Sequence, residues 1–65
     1  MGTIKIIHLE NAVLFNKCVQ ESGGVMDVLS SYVDNEGDVF LKVRPSVLLK
    51  PELAKEYEEE RVRKE

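Results

Sequence analysis

Cys18 is the only cysteine in a chain of 65 residues, and this pairing of facts constrains the fold most. No disulfide can close within one copy. A chain this short buries only roughly 60% of the surface that its unfolded form exposes. Stability must then come from one small apolar core, helped by a metal or a second chain. A lone cysteine fits a reducing compartment, and the start "MGTIKIIHLENAV" lacks the basic flank, apolar run and cleavage site of an export signal, so a cytoplasmic location is expected. No apolar stretch approaches the roughly 18 residues needed to cross a bilayer.

The apolar periodicity supplies the elements. "TIKII" (3–7) is a β-branched run without a breaker and predicts a strand. "NAVLFNKCVQES" (11–22) predicts a helix, with Ala12, Leu14, Phe15, Cys18 and Val19 on one side and Asn16, Lys17, Gln20 and Glu21 on the other. Asn11 is a good N-cap type, and Gly23-Gly24 a good stop.

"VMDVLSSYV" (25–33) fits two periods. Val25, Val28, Leu29 and Tyr32 have helical spacing. As a strand, the segment puts Met26, Val28 and Tyr32 on one face and Leu29 and Val33 on the other. The turn-rich "DNEGD" (34–38) and the strand-like "VFLKV" (39–43) favour the strand, as half of a hairpin. Pro45 is expected to break that run. A further helix should begin after Pro45 and at the latest by Pro51, a residue suited to a first helical turn.

The end, "PELAKEYEEERVRKE" (51–65), is a charge run with helical spacing. Glu59 with Arg63 and Glu60 with Lys64 form i,i+4 pairs, and Leu53 and Tyr57 form a short apolar stripe. The expectation is a small α+β domain of order β-α-β-β-α over residues 1–50, followed by a charged, solvated helix over 51–65. The expected core is Ile4, Ile6, Leu14, Phe15, Val19, Val28, Val39, Leu41 and Leu48.

Charge bears on partners. The chain carries 9 basic and 12 acidic residues, net −3. The basic residues are scattered rather than gathered into the patch that phosphate binding needs, which disfavours nucleic acid. Chemistry is sparse as well. Cys18 falls on the apolar face, with no histidine placed to activate it. His8 and Cys18 do not make a ligand set for zinc. "DNEGD" lacks the terminal glutamate of a calcium loop, and Gly23-Gly24 is not followed by a phosphate-loop pattern. No catalytic residue, cofactor or metal is expected.

The spacing of "TIKIIHLENAVLFNKCVQESGGVMDVLSS", with "RPSVLL" after it, resembles the first half of the histidine-containing phosphocarrier (HPr) family, in particular its short divergent members. The resemblance spans residues 3–49. It implies a strand, a helix, a β-hairpin and a short helix starting at Ser46. It nominates two phosphoacceptors, His8 at the first helix and Ser46 at the regulatory position. The family follows its histidine with Ala-Arg-Pro-Ala, whereas this chain reads Leu9-Glu10-Asn11-Ala12. Glu10 stands where a guanidinium would hold the phosphoryl group, and would repel it. His8 is therefore expected to be a surface or edge histidine, and Ser46 a cap for a short helix.

The function that fits these features is a non-enzymatic, acidic regulatory or adaptor module. It would bind a protein partner or a second copy of itself through Phe40, Leu53 and Tyr57. The alternative is a DNA-binding dimer that resembles the ribbon–helix–helix family, with 3–9 as strand, 11–22 as first helix and 25–33 as second. Whether 25–33 is strand or helix discriminates the two.

Overall fold

Ala12–Glu21 folds as the helix (α1) that its apolar spacing demands, burying Phe15, Cys18 and Val19 on one side. Its end is built by the paired glycines. Gly23, at φ +89°, donates its N–H to the Gln20 carbonyl, and Gly24 reaches back to that of Val19. This reciprocal closure satisfies two of the carbonyls that a helix leaves open at its end. The computed structural model describes residues 3–64.

Around α1 the order is β1 (Lys5–His8), a 3-10 turn (Leu9–Asn11), α1, β2 (Met26–Val33), β3 (Val39–Pro45) and α2 (Pro51–Glu60). The three strands form an antiparallel sheet of order β1-β3-β2. The α+β class and the β-α-β-β-α order are those expected from the sequence. Residues 26–33 are a strand, so the second helix of a ribbon–helix–helix arrangement does not form. Among the described residues, no helix is long and apolar enough to cross a membrane.

Both helices lie on one face of the sheet. Ile7, Phe15, Cys18, Val19, Val43 and Tyr57 make the buried core, with Ala12, Leu14, Met26, Leu41, Leu49 and Leu53 packed around it. The fold measures 34 × 24 × 15 Å, and its short dimension is that of one helix layer on one sheet.

Several expectations are corrected. Phe15 and Val19 are core, Leu14 and Leu41 flank it, and Val39 is half-buried, but Ile4, Ile6, Val28 and Leu48 are exposed. The error in β1 is one of phase. Ile7 pairs with Leu41 on the helix side, which turns Ile6 to the open face, since strand side chains alternate. The strand run does end at Pro45, as expected. That proline is the last residue of the strand, buried and paired with Met26, and a proline at a strand end removes no interior hydrogen bond.

The C-terminal helix is also part of the domain rather than an appendage after residue 50. Tyr57 is 1% exposed, and its ring meets that of Phe15 edge-on with centroids 5.1 Å apart. Because α2 stops at Glu60, the expected Glu59–Arg63 and Glu60–Lys64 helical pairs have no helix to hold them. Arg61 instead bonds Glu58 at 3.1 Å, and the following residues turn back toward the 3-10 turn.

Candidate functional site

His8 ends β1 and caps the turn that follows. Its backbone is extended, and its Nδ1 accepts the Glu10 N–H at 3.0 Å. That bond leaves the ring proton on Nε2, directed at Asp38 Oδ1 3.0 Å away. The ring also stands edge-on to Phe40, its register partner on β3, with centroids 5.2 Å apart. His8 is thus at a sheet edge, as expected, but only 4% exposed rather than on the surface.

Lys64 completes the cluster, with its Nζ 3.2 Å from Glu10 Oε2 and 3.4 Å from Asp38 Oδ1. The hydrogen bond from His8, helped by the Lys64 charge, holds the Asp38 carboxyl below its ordinary range. The hydrogen bond to Glu10, with the nearby Asp38 charge, raises the Lys64 amine. Three distant segments meet here: the end of β1, the β2–β3 turn and the C-terminal residues.

A carboxylate beside an imidazole has the form of an acid–base dyad, but this one faces inward. The Nδ1 lone pair is committed to a backbone N–H and Nε2 to Asp38, so neither nitrogen is presented to a substrate. The surroundings do not suit a phosphorylated imidazole either, because the carboxylates of Glu10 and Asp38 lie 4.0 and 3.0 Å from the ring nitrogens.

Ser46 starts no helix. Residues 46–50 form a bend and an extended link. The Ser46 hydroxyl accepts the Val25 N–H at 2.9 Å, and its own N–H donates to the Val25 carbonyl at 2.8 Å. The serine therefore clips the start of the hairpin to its end. Cys18 is fully buried, and burial raises its thiol pKa. It is a core residue held in the unreactive form.

Asp34, Glu36 and Asp38 each offer an oxygen, and these lie within 4.8 Å of one another. Asp34 Oδ1 already accepts the N–H groups of Glu36 and Asp38 at 2.9 Å, with Gly37 at φ +86° closing the turn. Asp34 thus shapes the hairpin turn, while Asp38 Oδ1 is engaged by His8 and Lys64.

The three partner-binding candidates separate. Tyr57 is in the core and is not available as a docking residue, and Leu53 is partly buried against that core. Phe40 is half-buried on the open face of the sheet, stacked on Tyr32 with centroids 5.5 Å apart and rings within 20°. His8, Phe40 and Tyr32 thus form one row across the three strands.

That row exists because of a bulge. Val28 pairs with Val43 and Ser30 with Lys42, leaving Leu29 as an extra residue in β2. Directly paired residues share a face, so Met26, Val28, Ser31 and Val33 lie on the helix side, and Asp27, Ser30 and Tyr32 on the open side. The sequence pattern had put Tyr32 with Val28 and apart from Val33. One inserted residue reverses the sidedness of everything after it.

The helices reach β2 only at its start, where Met26 packs against the core. Every residue from Asp27 to Val33 is exposed, including Val28 (54%), Leu29 (41%), Tyr32 (47%) and Val33 (63%). This strand is an edge strand, and it carries neither lysine nor proline. A separate groove of about 530 Å³ lies between the start of β1, the 45–49 link and α2, lined by Ile4, Phe15, Leu48, Leu49 and Tyr57 among others.

Two features were missed from the sequence. One is the bare outer strand. The other is Asn11, expected as a helix cap. It is 1% exposed and makes no capping bond. Its carboxamide instead accepts the Val62 N–H at 2.7 Å and donates to the Val62 carbonyl at 3.0 Å. A carboxamide carries one donor group and one acceptor, which match the backbone C=O and N–H of a single residue, but nothing in the sequence links Asn11 to Val62. No family model matches the chain, and no curated protein or solved structure shows significant similarity to it.

Proposed function

We propose that this chain is a non-enzymatic protein-binding module that works through β2, engaging protein partners or another copy of itself. The observation that carries the reading is the run Asp27–Val33, exposed along its whole length with four large apolar side chains. An edge strand offers unpaired backbone N–H and C=O groups to an incoming strand, and flanking apolar side chains add affinity. The inward-facing His8–Asp38 pair and the unreactive Cys18 support the absence of a catalytic role. The lone reduced cysteine supports a cytoplasmic location.

The test compares capture by immobilised wild type with capture by a Leu29→Lys/Val33→Lys variant, both from cell extract. Neither position is in the core, so the circular dichroism spectrum should be unchanged. Partners retained by wild type and lost from the variant are expected. Equal retention by both would remove β2 from the reading.

A further inference from the structure

We infer that β2 pairs antiparallel with β2 of a second copy, over its full length and about a two-fold axis between Leu29 and Ser30. This rests on the reading of β2 as the binding strand and names its partner. An antiparallel two-fold pairing of β edges keeps the same face of both sheets on the same side, and directly opposed residues must share a face. In a regular strand of eight residues, full-length self-pairing would oppose Met26 to Val33 and every other residue to one of opposite sidedness. It could not form without a slip.

The bulge removes that conflict. With Leu29 inserted, Met26 and Val33 both face the helix side, Val28 and Ser31 do so too, and Asp27 and Tyr32 both face the open side. The full-length register therefore sets Met26 against Val33 of the second copy, Val28 against its Ser31, and Asp27 against its Tyr32. A bulge usually discourages edge pairing. Here it makes the strand match itself, and an unrelated peptide has no reason to share that pattern.

The side chains agree with this register. Val33, 63% exposed, gains Met26 of the other copy as a neighbour, extending the row that already holds Val39. Asp27 is the only charged residue in β2. The pairing keeps its two copies roughly 15 Å apart along the strands, whereas a parallel pairing in register would place them side by side. Arg44, paired with Asp27 on β3, comes within reach of the Tyr32 ring of the second copy, on the face where Tyr32 stacks on Phe40.

Area sets the strength. Eight residues make an edge about 27 Å long. One sheet edge of that length buries less than the roughly 800 Å² per partner of a standard interface. The dimer should therefore be concentration-dependent, with a Kd in the range of about 10 µM to 1 mM.

Two single variants test the register. Val28→Cys and Ser31→Cys lie at exposed positions, and Cys18 is too buried to compete. Opposed residues of an antiparallel pair are about 4.5–5.5 Å apart at Cα, within disulfide reach. A residue and its own two-fold copy at either position are about 10 Å apart, beyond that reach. Under oxidised glutathione, a mixture of the two variants should form a covalent heterodimer at least tenfold faster than either variant forms a homodimer. Urea should abolish the difference.

Light scattering from 10 µM to 1 mM should show the wild-type mass rising toward two copies, and Val33→Lys should shift that rise at least tenfold in concentration. A wild type that stays monomeric at 1 mM would overturn the self-pairing, as would homodimers forming as fast as the mixed species. In either case a capture result that still depends on β2 would leave the protein-binding reading standing. Loss of that dependence would remove both.

Discussion

Replacing Asn11 should separate a clamp from a cap. Asn11 is 1% exposed, and its carboxamide makes two hydrogen bonds to the Val62 backbone, from its N–H at 2.7 Å and to its C=O at 3.0 Å. Each neutral bond contributes about 0.5–1.5 kcal/mol net, so Asn11→Ala should lose about 1–3 kcal/mol, with a few tenths more for the space left behind. Val62 is 39% exposed, so water can reach its freed groups, which keeps the loss from running higher. A domain of 65 residues holds about 3–10 kcal/mol in total. The loss is then a large fraction of the whole and corresponds to roughly 4–8 °C in Tm per kcal/mol.

Asn11→Asp sharpens the test. It keeps the acceptor for the Val62 N–H but turns an oxygen toward the Val62 carbonyl, from a side chain that is itself buried. At pH 7 it should be less stable than Asn11→Ala. The introduced carboxyl, disfavoured as an anion there, has its folded pKa raised, so protonation restores a donor and its stability is recovered as pH falls. Urea unfolding followed by circular dichroism at pH 7 and pH 4.5 reads both. A loss under about 0.5 kcal/mol for Asn11→Ala, or an aspartate variant as stable as wild type at pH 7, would refute the clamp.

Three further outcomes are expected. Phe15→Ala removes one ring of the Phe15–Tyr57 contact from a site 1% exposed and should cost about 3–5 kcal/mol, leaving a measurable unfolded fraction at 25 °C by near-ultraviolet circular dichroism. Gly24→Ala would place a methyl 2.5 Å from Val47 Cγ2 and 2.6 Å from the Ser46 hydroxyl. It should cost about 1–3 kcal/mol in urea titration and speed exchange of the Val25 amide bonded to that hydroxyl. Asp38 is held below its usual value of 3.8 by His8 and Lys64, so its stabilisation is present above that pH and lost as pH falls through the lower folded value. Asp38→Asn should therefore flatten the acid limb of stability below about pH 4. An unchanged limb would show that the carboxylate has no such role.

How far the sequence reaches differs from element to element. The helix over 12–21 was legible because its apolar residues repeat at the helical period and two glycines end it. The hairpin was legible because a glycine-bearing acidic turn separates two β-rich runs, and Pro51 announced α2. The phase of β1 was not. "TIKII" is apolar at both parities, so only the pairing of Ile7 with Leu41 decides which isoleucine is buried. The same holds for β2, where the bulge at Leu29 is a property of two strands meeting, and one strand's composition does not carry it.

The groups that gave the sequence its functional suggestions were settled by contacts remote along the chain. His8 has the same residue type whether it faces solvent or Asp38, 30 positions away. Asn11 is a good cap by local preference, and Val62, 51 positions away, outcompetes that use by offering both its N–H and its C=O. Tyr57 reads from the sequence as part of a short apolar stripe available to a partner, and only the packing of α2 over Phe15 puts it in the core. Local interactions act over three or four residues and are written in the sequence as period and punctuation. Burial, sidedness and the partners of polar groups depend on which elements lie against one another, and only the tertiary structure brings those together.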